Sequence, residues 1–352
     1  MRILFLIIIL NFSTTVHAAP PQEAITACKN ARTGTKCNLN TPRGILHGTC
    51  QKPPHELQMI CIPGRAKQSN MKNSAPHRKT RKHRVNQSDG SIKTIEANTM
   101  HEMDAHISIR IEGAHRILKS NGIAKHMTGA FPNHGNPHSI TEQDYYFRIP
   151  AKPKLAETVT PLGMHSFGLG INGIPFDPGA AEWYLGQRNS KWQYEAMSGA
   201  ITLGLDKNHA HVQPTGAYHY HGLPTLLLSD SNVIETEHSP IIGWAADGFP
   251  IYALYGYDSD ENIAEMKSGY QLREGERPSS RGNPGGHYDG TFTADYEYVT
   301  GSGNLDECNG RMTKTPDFPE GTYAYFLTQS WPIVPRCYKG TPSKDFTQQK
   351  MR

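Results

Sequence analysis

The chain has 352 residues, with 36 Lys and Arg against 32 Asp and Glu, 33 Gly, 25 Pro, 18 His and 6 Cys. Hydrophobic residues make up 36%, which excludes a multi-span membrane protein, and the length leaves room for one large domain plus something small. Residues 65–84 hold eight Lys or Arg and no acid, so the rest is mildly acidic, with 28 bases against 32 acids. That distribution argues against a specific nucleic-acid binder, whose basic residues would spread over a binding face.

At the amino terminus Arg2 precedes the apolar run Ile3–Leu10, and Val16-His17-Ala18 follows a polar stretch. A charged start, a short apolar run and a small-residue site define a signal peptide over 1–18. Eight apolar residues fall short of the roughly 20 that cross a bilayer. The expectation is a mature chain from about Ala19, secreted or periplasmic, without a transmembrane anchor.

Cys28, Cys37, Cys50 and Cys61 then crowd into residues 19–64. In an exported chain they are expected to form disulfides that staple a module too small for its own core. Four cysteines allow three pairings, and spacing does not select one. Residues 65–90 read as a basic, flexible linker, either a solvated tether or a strap that adheres to acidic polymers or an anionic envelope surface. Asn86-Gln87-Ser88 within it is a glycosylation sequon.

The main domain is expected over 98–342, with 343–352 as a tail. His106–Ile111, Tyr145–Ile149 and Phe167–Ile174 look like strands broken by Gly and Pro, and Ala180–Tyr184 and Glu261–Lys267 like short helices. Gly and Pro together account for 58 residues, more than a helical bundle tolerates. The fold class is therefore mainly β, either all-β or irregular α+β: one large β-rich domain behind a small disulfide-stapled module.

Residues 205–223 read Leu-Asp-Lys-Asn-His-Ala-His-Val-Gln-Pro-Thr-Gly-Ala-Tyr-His-Tyr-His-Gly-Leu. Two His-x-His pairs, His209/His211 and His219/His221, flank Pro214-Thr215-Gly216. Residues i and i+2 of a strand share a face, and Pro-Thr-Gly suits a three-residue hairpin loop with Gly in the left-handed position. That register sets His211 opposite His219 and His209 opposite His221, so four imidazoles share one face within reach of one ion. Imidazole sets of this kind suit a transition metal, with copper or zinc first. Tyr218 and Tyr220 should point the other way, into the core. Asp247, His238, Glu195 and Glu182 are candidates for a further ligand or for orienting an imidazole N–H. Gly286–Gly290 and Leu305–Gly310 are acidic turns that could hold Ca²⁺, though without EF-hand spacing. Cys308 is expected to bond Cys337. No nucleophile elbow, phosphate-binding loop, dinucleotide fingerprint or zincin motif is present.

Tyr218-His-Tyr-His221 resembles the signature of the YHYH domain family of exported, mostly bacterial proteins. Asn172–Asp177, Gly243–Tyr252, Asp289–Phe292, Leu305–Gly310 and Gly321–Phe326 are similar to the same family, and together they span about 140–342. The resemblance implies a domain and no particular reaction or catalytic residue. Three functional classes follow from the whole reading: a metal-binding domain, with or without catalysis by copper redox chemistry or metal-activated water; a non-catalytic envelope or matrix protein with a structural histidine motif; and a sugar-binding or sugar-cleaving protein that uses its Trp, Tyr and carboxylates.

Overall fold

The computed structural model describes residues 22–41, 44–52, 58–63 and 92–347. The segments expected as signal peptide and basic linker, and the sequon, lie outside them. Two separate units result, divided between Lys79 and Thr80.

The amino-terminal unit joins helix α1 (Gln22–Thr26) to strands β1 (Lys36–Thr41), β2 (Gly44–Gln51) and β3 (Ile60–Pro63), which form an antiparallel sheet with β2 in the centre. Its interior is four buried cysteines with Ala27, Ala31, Leu39 and Met59 around them. The bonds run Cys28–Cys50 and Cys37–Cys61, one of the three pairings the spacing allows. With so little apolar surface to bury, these cross-links do the work of a core.

The second unit is mainly β. An antiparallel sheet of β4 (Ile107–Glu112), β5 (His115–Ser120) and β6 (Tyr145–Pro150) leads in. Then come β7 (Leu155–Pro161), β8 (Gly168–Gly170), β9 (Pro175–Phe176), β10 (Gly179–Trp183), β11 (Gln193–Glu195), β12 (Ala210–Val212), β13 (Tyr218–Tyr220) and helix α2 (Thr225–Asp230). The remainder is β14 (Gly243–Ala245), β15 (Pro250–Ala253), β16 (Tyr255–Tyr257), β17 (Ile263–Glu265), β18 (Tyr270–Leu272), β19 (Tyr296–Tyr298), β20 (Gly310–Thr315), β21 (Phe318–Leu327), β22 (Cys337–Gly340) and helix α3 (Lys344–Thr347). The largest sheet has eight strands in the order β12-β13-β9-β8-β14-β15-β21-β20, so β12 stands at one edge. β13 runs parallel to β9, and β15 parallel to β21; the other neighbours are antiparallel. Its core includes Phe167, Phe176, Tyr218, Tyr220, Ile251 and Tyr325, all buried.

Two expected helices are strands instead. Ala180–Trp183 lies in β10 and pairs with β11, and only Tyr184–Gly186 turns as a 3₁₀ segment. Ile263–Glu265 pairs with Tyr255–Tyr257. Segments this short have little intrinsic helicity, so an available strand partner decides their state. The body also reaches beyond Pro342: Phe346 on α3 is buried and stacks on Phe147 with ring centroids 3.9 Å apart. Cys308 and Cys337 are bonded as expected.

Candidate metal centre

The hairpin of β12 and β13 forms the site. The Gly216 amide donates to the Gln213 carbonyl (2.8 Å) and the Gln213 amide to Ala217 (2.9 Å), which closes a loop over Pro214-Thr215-Gly216. Gly216 sits at φ +85°, and a Cβ there would lie 1.9 Å from Thr141 Oγ1, so the position needs glycine on two grounds. His211 then pairs with His219, Ala210 with Tyr220 and Val212 with Tyr218.

The pleat sends alternate side chains to opposite faces. Tyr218 and Tyr220 enter the core with their hydroxyls bonded. Tyr218 donates to Asp206 Oδ2 (2.6 Å) and accepts from Asn208 (3.2 Å); Tyr220 accepts from Asn172 (2.8 Å) and lies 2.5 Å from His126 Nε2. His126 Nδ1 donates to the Met127 carbonyl, so its Nε2 accepts the hydrogen bond from the Tyr220 hydroxyl.

The opposite face carries His211, His219 and His221. His219 Nε2 and His211 Nε2 each stand 3.0 Å from His221 Nε2. The ligand atoms of all three residues fall within 4.8 Å of one another. His211 Nδ1–H donates to the Leu203 carbonyl (2.9 Å) and His219 Nδ1–H to the Ala217 carbonyl (3.2 Å). A carbonyl can only accept, so both rings carry the proton on Nδ1 and turn an Nε2 lone pair inward. His221 Nδ1 faces the Pro178 carbonyl without a hydrogen bond of normal geometry. Its single ring proton can serve only one of its two Nε2 neighbours.

Burial also keeps the three rings uncharged. Desolvation, with the neighbouring His219, lowers His211 to about 3; desolvation lowers His219 to about 4 and, with both neighbours, takes His221 well below the usual imidazole range. Neutral imidazoles with converging lone pairs are what a borderline-soft cation binds. On a tetrahedral ion with bonds of 2.0–2.1 Å, two nitrogens stand about 3.3 Å apart, close to the two separations of 3.0 Å found around His221.

His209 is a correction to the four-imidazole expectation. Its backbone keeps the register, since the His221 amide donates to the His209 carbonyl (2.8 Å). Its φ is +53°, however, and its Nδ1 bonds the Leu223 carbonyl (2.8 Å). Asp206 causes this. Its carboxylate takes the amides of Asn208 and Ala210, and its carbonyl takes that of His209. This tight turn ends the strand at Ala210, so the rule that i and i+2 share a face does not reach His209. The Asp-Lys-Asn preceding it is the signal that could have found the turn.

The other candidates are dispersed. Glu195 is buried under Arg336 (Nη2–Oε2 2.8 Å) and the Trp331 indole (2.8 Å); it is a structural anion. Asp247 accepts from the Tyr325 hydroxyl (2.6 Å) and the Gly340 amide (2.9 Å), tying β21 and β22 to the turn before β15. His238 bonds the Ser239 carbonyl (2.7 Å) among Tyr252, Tyr257 and Phe326. None of these three joins the group of ligand atoms. Glu182 lies within electrostatic reach of His211 and raises its basicity. The acidic turns hold protein cations: Asp306 and Glu307 engage Lys339, and Asp289 engages Arg277 together with buried Asp295. Sequence reading did not single out Asp177, buried one residue past β9. It accepts from Gln213 (3.1 Å), and burial raises its carboxyl to about 6.

A β-rich body that presents clustered imidazoles from the hairpin containing Tyr218-His-Tyr-His221 defines the class. A family model described as YHYH protein matches residues 146–340, more than half of the chain, and the chain belongs to that family. No curated protein and no solved structure matches it. Among the described residues no helix is long and apolar enough to cross a membrane.

Proposed function

We propose that this YHYH protein is exported and binds one transition-metal ion, copper or zinc, through His211, His219 and His221. The observation that carries the reading is the meeting of three neutral Nε2 atoms, two of which have lone pairs set inward by carbonyls behind their rings. Without a cation, at least one of these buried Nε2 lone pairs is left without a hydrogen-bond donor from the other two rings. A purely structural motif would instead pair each nitrogen with a complementary group, as His126 and Tyr220 do on the other face. The three disulfides support an oxidising compartment.

Native mass spectrometry of protein titrated with Zn²⁺ and with Cu²⁺ tests the proposal. Wild type should take up one ion of at least one metal, and His219→Ala should lose that uptake at the same concentration. Equal uptake by both proteins would place the ion elsewhere.

A further inference from the structure

Three protein ligands leave a metal short of the four it usually holds in a closed site. His211 is the partly exposed member of the triad, whereas His219 is 3% and His221 1% exposed. His211, on the edge strand β12, is thus the member nearest solvent. The segment 133–141 runs there, along the free edge of β12, and three contacts hold it. Asn133 donates to the Gly204 carbonyl (3.0 Å), next to the Leu203 carbonyl that orients His211. Buried Asn136 donates to the Val212 carbonyl (2.8 Å), and the Thr141 amide donates to Gly216 (3.0 Å). Between the last two anchors stands His138, whose amide bonds Asn136 Oδ1 (3.1 Å). Its ring is half-buried and makes no hydrogen bond to a described residue, and its backbone is held through Asn136 to Val212, the neighbour of His211 on β12.

We propose that His138 is the fourth nitrogen ligand of the centre, delivered from this anchored segment by rotation of its side chain when an ion occupies the three-nitrogen face. The inference rests on the three-imidazole reading. It replaces His209, which a tight turn removes from that face, with an imidazole remote in sequence. The backbone of the segment is already fixed, so closure reorders only two side-chain torsions, and little entropy opposes it.

Electron paramagnetic resonance of the Cu²⁺-loaded protein reads the number of nitrogen ligands, and competition with a chelator reads affinity. His138→Ala should lose one nitrogen from the hyperfine pattern and bind Cu²⁺ at least about tenfold more weakly, the scale seen when a metal site loses supporting contacts. His138→Gln, which cannot supply the nitrogen, should behave alike. Unchanged spectra and affinity in both variants, with Cu²⁺ binding lost in His219→Ala, would overturn the role of His138 and leave the triad standing. Failure of wild type to hold one Cu²⁺ or Zn²⁺ would overturn the triad and this inference together. Thermal melting of the metal-free variants confirms folding, since a half-buried side chain is being shortened.

Discussion

Metal should stabilise this protein through the triad. Folding brings His211 on β12 to within ligand distance of His219 and His221 on β13, and unfolding disperses them, so an ion prefers the native state. At a free concentration 100 times Kd the gain is about 2.7 kcal/mol. For a body of this size about 2–4 °C accompanies each kcal/mol, so Tm should rise by about 5–11 °C. The three imidazoles stay neutral well below pH 7, with His211 near 3 and His219 near 4. Binding therefore displaces no proton from them, and the shift should be nearly the same at pH 6 as at pH 7.5. Scanning fluorimetry of chelator-treated protein, with and without Zn²⁺ or Cu²⁺, measures it. His211→Ala/His219→Ala should melt normally without metal, because the change also removes lone-pair crowding, and should show no shift. An equal shift in the double variant, or none in wild type with either metal, would refute the reasoning.

Other outcomes follow from the same geometry. In metal-free protein the triad's folded pKa values lie below the unfolded imidazole value near 6.5, so unfolding takes up protons and stability falls as pH drops from about 6.5 towards 4. Each ring contributes a slope of about 1.4 kcal/mol per pH unit; urea midpoints across that window that stay flat would contradict the burial. Gly216→Val combines a left-handed backbone with a clash against Thr141 and should destabilise by more than about 2 kcal/mol, seen as a lowered urea midpoint and loss of metal uptake. Tyr218→Phe leaves Asp206 and Asn208 short of a partner and should lower stability by about 1–3 kcal/mol while leaving chelator-competed metal affinity unchanged. Cys308→Ser/Cys337→Ser opens a loop with a sequence separation of 29; the chain-entropy scale predicts a loss of about 3–4 kcal/mol, measurable by denaturant unfolding.

Much of this was legible before the fold was known. Pro214-Thr215-Gly216 carries its own turn chemistry, and that fixed the register that pairs His211 with His219 and turns Tyr218 and Tyr220 into the core. The expectation of an exported chain anticipated three disulfides, although not which of the first four cysteines join, because pairing depends on how the module's strands stack. His209 was misplaced because strand alternation was extended through Asp206-Lys207-Asn208, where the Asp206 carboxylate takes the amides of Asn208 and Ala210 and its carbonyl that of His209. The carboxylates expected near the ion lie elsewhere because their partners are remote in sequence: Glu195 meets Arg336 and Trp331, and Asp247 meets Tyr325 and Gly340. Asp177 meets the hairpin through Gln213, and the segment that carries His138 meets it through Asn136 and Thr141; both are tertiary contacts that spacing along the chain does not report.

The most direct test is a crystal structure of Zn²⁺-soaked protein with data collected on both sides of the zinc absorption edge. The account predicts one anomalous peak about 2.0–2.1 Å from Nε2 of His211, His219 and His221. A zinc peak at other residues, or none on a hairpin whose rings keep the present arrangement, would contradict it.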